Sequence, residues 1–547
     1  MMPDLYKEDN MLKRFPFAFC LLMTLCLACG VWNCAVAGNA ERSFPSPGPA
    51  PTGMAWDGKY LWIADQKLHK IFRVDPDNGK TAGSIPSPGL WPAGLAWDGR
   101  SLWNADSVEK KIYMLDPSNG RILKALDSPA ESPRGMAFSQ NELWLADDKT
   151  NEISKIDMSD GTTILSLRAP ETETTGIASD GDYFWIADRA ADEICRMHKR
   201  SGDVVMVIPA PGAYAWGLAY DGKSLFNVDY QTDTVYVLNI QDVARFALKE
   251  ERRAMVEYTH RVRNYGPGKV VNFDAYIAIP ETRDSQTIDK DITFEPKPSD
   301  FVADKWGQKF AHYRYKDMPP ATIVEAKMKV KATINQINYF IFPEKVGSLD
   351  DIPAELKTKY LVDDEKYLMN DQVIRKAVTD AVGDEKNPYW IARRIYNYCI
   401  EHLEYEMTGG WNVAPAVLKR GNGSCSEYTF VYISMCRAAG LPARYVGSVV
   451  VRGDDASLDD VFHRWVEVYL PNYGWIPVDP SGGDGPSPRY RASFFGSMKN
   501  RFLITTTSGG GSEYIGWTYN SNEFYQTDPQ TRVQVENFGE WQPLPEK

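Results

Sequence analysis

The residues best equipped for covalent chemistry lie late in the sequence. Cys425 stands in "GNGSCSEYTF", residues 421–430, just after two glycines and at the start of a hydrophobic helical pattern that runs to Gly440 and Pro442. Ser424 and Glu427 have the spacing of a capping box, which puts Cys425 on the first turn of that helix. Unpaired N–H groups and the positive end of the helix dipole favour a thiolate there, and an imidazolium nearby would favour it further. One of the six histidines fits the second role. In "DDVFHRWVEVYLPNYGWIPVDPSGGD" the alternating run carries His463, Asn472-Tyr473-Gly474 makes a turn, and "WIPVDP" reads as a partner strand ending at Asp479. A thiol on a helix, an imidazole on a strand and a carboxylate on the next strand are the parts of an activated nucleophile whose base is held by a third group.

The elements around these residues are helical before Cys425 and stranded after it. "DQVIRKAVTDAV" and "NPYWIARRIYNYCIEHL" have helical periodicity, with Pro388 in a favoured first-turn position. Cys436 falls on an apolar helical face and reads as core. Trp465 and Trp475 either line a cleft or pack the hairpin, and packing is the simpler reading. The Cys425 backbone N–H is one expected oxyanion donor; Tyr405 and Trp411 are candidates for a side-chain partner.

These motifs resemble the transglutaminase-like core of the papain-like clan over roughly residues 370–490. The shared pattern is Gly-x-Cys, a hydrophobic helix, "GLPAR", His-x-Trp-x-Glu, and Trp-x-x-hydrophobic-Asp, all present here. The resemblance implies that Cys425 is the nucleophile, His463 the base and acid, and Asp479 the orienting carboxylate. It also implies a β-sandwich ahead of the core, as in bacterial members, and no metal or organic cofactor. Ser424 stands where the cross-linking animal enzymes usually have Gln, which weakens the case for cross-linking.

The first half has a different logic. "GMAWDGKYLWIAD" at Gly53 returns at Gly94, Gly135, Gly176 and Gly217, a period of 41 residues, and Asp65, Asp106, Asp147, Asp188 and Asp229 keep the same interval. Alternating runs broken by Asp-Gly and Asn-Gly turns give three or four strands per unit, the pattern of propeller blades. Phe44, Ile85, Leu126, Leu167 and Ile208, each followed three residues later by Pro, also recur at 41. The first of these precedes the first full repeat, so an N-terminal strand is expected to complete the last of five blades, over about 40–246. The units resemble the NHL and "YVTN" propeller repeats, which imply a scaffold with a binding face. One five-bladed family cyclises N-terminal glutamine, and that alternative stays open. The periodic aspartates are expected to accept hydrogen bonds within their blades rather than hold a metal.

Between the two regions, "ATIVEAKMKVKATI" alternates strictly, and with "VVNFDAYIAIP" and "KFAHYRY" it predicts a β-sandwich over about 252–345 in which His260 and His312 have no catalytic part. The chain from 350 to 547 is expected to be the catalytic domain, with C-terminal strands edging it. A length of 547 residues implies several domains, and a net charge of -12 argues against a nucleic-acid partner. Residues 1–37 read as an export signal, with Lys13 and Arg14, an apolar run, and Ala35-Val36-Ala37; residues 1–10 form an acidic preamble that leaves Met11 as an alternative start. An uncleaved anchor and a lipid-modified Cys29 are the rivals, and membrane association depends on one of them. Four of the eight cysteines fall in that segment; Cys195, Cys399, Cys425 and Cys436 lack metal-ligand spacing.

The expectation is an exported periplasmic or extracellular cysteine enzyme acting on amide or peptide bonds of a protein or peptide, by hydrolysis rather than cross-linking. The alternative is an envelope scaffold whose propeller holds a cell-envelope polymer while the triad stands idle.

Overall fold

The computed structural model describes residues 38–241, 243–407, 411–453 and 457–545. The expected export signal at 1–37, with Cys29, lies outside the described residues.

Five four-stranded antiparallel sheets follow one another from Ala40 to Asn239, one for each 41-residue repeat. Local chemistry turns each strand into the next. The Asp57 carboxylate accepts from the Lys59 and Tyr60 N–H groups at 2.8 and 2.7 Å and from Trp62 Nε1 at 2.8 Å, and Asp98 repeats the arrangement with Arg100, Ser101 and Trp103. The periodic aspartates fix the loops: Asp65, Asp106, Asp147, Asp188 and Asp229 each accept from a backbone N–H of the incoming segment and from the turn that follows.

The repeat glycine has a steric cause. A Cβ at Gly53, Gly94, Gly135, Gly176 or Gly217 would lie 2.0 to 2.5 Å from the backbone of the neighbouring inner strand, and the series closes because Gly217 faces Thr52. Closure is completed by Ala40–Pro45, which pairs with Thr234–Asn239 as the outer strand of the last blade, with buried Phe44 opposite Val235. The chain therefore carries five propeller-like blades in a ring.

One blade departs from the others. The outer strands Ala40–Pro45, Thr81–Pro86, Ile122–Asp127 and Thr163–Arg168 are exposed along most of their length, whereas Val204–Pro209, "VVMVIP", is mostly buried. Here the ring meets the C-terminal region, and apolar residues of both share one core. Ion pairs frame the seam: Arg196 with Glu344 at 2.8 Å, Arg393 with Asp203 at 3.1 Å, and Arg489 with Glu193.

Two sheets around a common core follow the blades. Phe246–Gly266 pairs along its length with Ile323–Tyr339, and Val270–Ala278 with Lys309–Met318. Alternation works as expected: Ala326, Met328, Val330, Ala332 and Ile334 are buried between the part-exposed Lys327 and Lys329. His312 Nε2 bonds Asp274 at 2.7 Å and His260 Nδ1 bonds Ser521 at 3.1 Å, both within this layer.

The C-terminal strands correct the sequence-based expectation. Ser521–Thr527 pairs with Val270–Ala278 and Arg532–Pro543 pairs with Phe246–Gly266, so the last strands complete the two-sheet layer instead of edging the region around Cys425. The reason is unpaired edges: both long strands need a second neighbour for their N–H and C=O groups, and the returning chain supplies it. Phe502–Ser508 instead joins a further four-stranded sheet, in the order Gly474–Val478, His463–Leu470, Ala443–Val450, Phe502–Ser508. Helices Gln372–Val382, Pro388–His402, Ala414–Arg420 and Cys425–Ala438 cluster beside this sheet, with the last packed on it.

Candidate active site

The Cys425–Ala438 helix starts where it does because of a buried carboxylate. Glu427, fully buried, accepts from the Ser424 N–H at 3.1 Å, from the Asn412 backbone and side-chain N–H groups at 3.2 and 3.1 Å, and pairs with Arg420 at 3.0 Å. One anion thus ties the cap, the preceding helix and an incoming loop together. Gly423 is required beside it, since a Cβ there would lie 2.8 Å from Glu427 Cβ. Cys425 is left half-buried at the first turn, where backbone N–H groups lack intrahelical acceptors.

The hairpin brings up its partners by register. Val466 opposes Val478, so Asp479 stands just past the strand, level with Trp465, and His463 lies one pleat further along on the same face. His463 Nε2 bonds Asp479 Oδ2 at 2.7 Å, and Ser481 Oγ and the Gly482 N–H hold the other carboxylate oxygen at 2.7 and 3.0 Å. Asp479 engages one ring nitrogen and leaves the other for Cys425, whose thiolate the His463 side chain stabilises.

The electrostatics follow from this contact. Burial alone would raise the Cys425 thiol, but the hydrogen bond and charge of His463, with the Arg464 backbone N–H and guanidinium, outweigh it and hold the thiol below its ordinary value. Burial alone would lower His463, yet the Asp479 carboxylate and the thiolate push it up to about 10. Burial opposes charge on Asp479 as well, and His463 wins there too, keeping the carboxyl below its usual range. All three groups therefore favour a thiolate–imidazolium pair backed by a carboxylate.

The other candidates divide. Tyr405, 47 % exposed, lies on a short strand paired beside Gly423, and burial together with the charge of Cys425 raises its phenol. Trp411 stacks on Tyr519 with ring centroids 6.4 Å apart. Trp465 is buried between His463 and Phe502, and Trp475 packs against Tyr360 and Arg444, while both also line a cavity of about 340 Å³ beside Glu467, so they pack the hairpin and line a cleft at once. Cys436 is in the core, its thiol pushed well up by burial, as are Cys195 and Cys399.

Two features escaped the sequence reading. Arg464 is fully buried between the Tyr445 and Tyr519 rings, each 4.4 Å from the guanidinium carbon; Nη2 donates to the Trp517 carbonyl, while Nε and Nη1 have no partner. No carboxylate among the described residues pairs with it, so its positive charge acts on the site unopposed by an adjacent anion. Glu467 is the second: buried between Arg283 of the two-sheet layer and Arg444, it is held down to about 2 because the two guanidinium groups overcome its burial. Arg444 and Glu467 are the last residues of "GLPAR" and His-x-Trp-x-Glu, so the signal was in the motifs, but the link to Arg283 was not.

The arrangement can form a covalent acyl bond to sulfur and deliver a proton to the departing group. Residues 375–480 match the transglutaminase-like superfamily. An uncharacterized protein of Haemophilus influenzae is 25% identical over 167 residues, covering 25% of this chain and 45% of that protein; the chain thus spans less than half the length of this curated relative. Among solved structures, a putative cysteine protease from Cytophaga hutchinsonii is similar at 13% identity and a TM-score of 0.39, over 54% of this chain and 100% of that one. Glutaminyl cyclase of Myxococcus xanthus is similar at 12% identity and a TM-score of 0.34, over 38% of this chain and 97% of that one. Residues 375–480 are a transglutaminase-like core, carried behind five propeller-like blades.

Proposed function

We propose that this protein is an exported cysteine enzyme that opens amide or peptide bonds through an acyl-thioester on Cys425. The observation that carries the reading is the half-buried Cys425 at a helix start, its thiol held below its ordinary value by His463, which Asp479 in turn holds at 2.7 Å. The thiolate attacks the carbonyl carbon, and the helix-terminal N–H groups offer donors to the developing oxyanion. His463, protonated at the start, gives its proton to the leaving amine as the C–N bond breaks. A water then loses a proton to His463 and attacks the thioester, releasing the acid and restoring the thiol pair. Hydrolysis is favoured over transfer to an amine because the half-buried Cys425 is reached by solvent and Ser424 stands where the cross-linking animal enzymes usually have Gln. β-Propeller and β-sandwich are the architectures we assign to the ring and the two-sheet layer, which present the core to a protein or peptide substrate of the cell envelope.

The test is capture of the intermediate. Incubation with a peptide library followed by acid quench should leave an acyl mass adduct on the Cys425 peptide, absent in Cys425→Ala, and products should carry 18-oxygen from labelled water rather than added amine. Absence of both adduct and product from protein with a reactive Cys425 would contradict the enzyme reading and leave an envelope scaffold.

A further inference from the structure

A cavity of about 630 Å³ opens at the seam between the fourth blade and the helices, and none of Cys425, His463 and Asp479 lines it. Its floor is one stripe of the Pro388–His402 helix: Trp390, Arg394, Asn397, Tyr398, Glu401 and His402 recur at three- and four-residue intervals. Its opposite wall is the turn after the Glu193–His198 strand, with His198, Arg200 and Ser201. Neither region forms the cavity alone. Its size is that of a small-molecule site, and such sites favour domain seams.

The lining chemistry narrows the ligand. Aromatic faces are present on both walls: His198 lies 4.6 Å from Trp390, and Tyr398 stacks on His402 at 3.8 Å. Most charges are already matched within the protein, Glu385 with Arg394 at 3.0 Å, Asp203 with Arg393 at 3.1 Å and Asp380 with Lys376 at 2.5 Å. Burial holds His198 below an ordinary histidine, so its ring is neutral at pH 7. A charged ligand would find little net counter-charge. A purely apolar ligand would cover the exposed Arg394 guanidinium and Glu401 carboxylate without replacing their water. Hydroxyl groups both donate and accept, and a sugar ring adds an apolar face that lies flat on an indole.

We propose that this seam cavity binds a neutral saccharide, with Trp390 as the stacking platform, Glu401 as acceptor from ring hydroxyls and Arg394 as donor to them. The site is separate from the thiol chemistry and does not depend on it. On this account the blades and the helices jointly grip a glycan while the triad works elsewhere on what the glycan carries.

The full chain would be titrated calorimetrically with chitotetraose, cellotetraose and maltotetraose, with spermidine and inositol hexakisphosphate as charged comparators. At least one saccharide should bind saturably, Trp390→Ala should weaken it by about tenfold or more, and Arg394→Gln should weaken it less, with alkylation of Cys425 unchanged in each. Should Trp390→Ala fail to fold, Glu401→Gln on the exposed rim should still weaken binding severalfold. Failure of all three saccharides to bind natively folded protein would overturn the proposal, as would binding unaffected by these substitutions or a preference for either charged probe.

Discussion

Cys425 opens a helix and Cys436 lies about three turns further along it, yet the two thiols meet opposite surroundings. Around Cys436 burial pushes the thiol well up, and the Tyr432 hydroxyl and Arg437 charge do not offset it. Around Cys425 burial acts in the same direction but is overcome by His463 and Arg464. The lesson is that a helix start does not make a reactive thiol by itself. What separates the two thiols is a strand that brings an imidazolium to one of them.

The comparison is broken most completely by removing the partners. Cys425→Ala should abolish labelling by iodoacetamide in native protein, while Cys436→Ala should leave it intact and cost about 1 kcal/mol of stability, read by denaturant melts. Next in size is His463→Ala, which leaves the burial and removes the counter-charge. The Cys425 thiol should then titrate at or above the free-thiol value of about 8.5, and labelling near pH 6.5 should slow by at least about tenfold.

Glu427→Gln should blunt the contrast by loosening the helix start. The substitution leaves Arg420 solvated but deprives buried N–H groups of a charged acceptor, so a loss of about 2–3 kcal/mol is expected, with the labelling rate falling in the protein that stays folded. Arg464→Met should have the smallest effect, raising the labelling midpoint while His463 keeps it below the free-thiol value; an unchanged midpoint would show that the guanidinium does not reach the sulfur.

The pH profile sharpens the same contrast. The lowered Cys425 thiol becomes protonated as pH falls through its own value, removing the nucleophile on the acid side. The raised His463 loses its proton as pH rises through about 10, removing the acid for the leaving amine. Turnover should therefore be level between these limits and fall on both sides. Asp479→Asn should bring the alkaline limb down in pH, because the carboxylate is the main group raising His463.

Much of this was legible in the sequence because repeats and motifs are local. The 41-residue period fixed the blade count, and the register of a short hairpin fixed the relation of His463 to Asp479. The signal was weaker where partners are distant in sequence. Nothing near Phe246 announces that residues 532–543 return to pair with it, and nothing near Glu467 announces Arg283. Blade four is instructive in another way: "VVMVIP" in place of "TAGSIP" or "ILKALD" advertises a buried outer strand, a signal visible only when the repeats are compared face by face. The two candidate oxyanion side chains stayed unresolved in the sequence because both precede the cysteine in a stretch without periodicity.

The most direct test is the alkylation rate of Cys425 as a function of pH, read by mass spectrometry at its own peptide, with the Cys436 peptide as internal reference and His463→Ala alongside. The account predicts a Cys425 midpoint well below about 8.5 that rises in the variant, and a Cys436 peptide that stays unlabelled until the protein unfolds. A Cys425 midpoint at or above that value and unmoved by the substitution would contradict it.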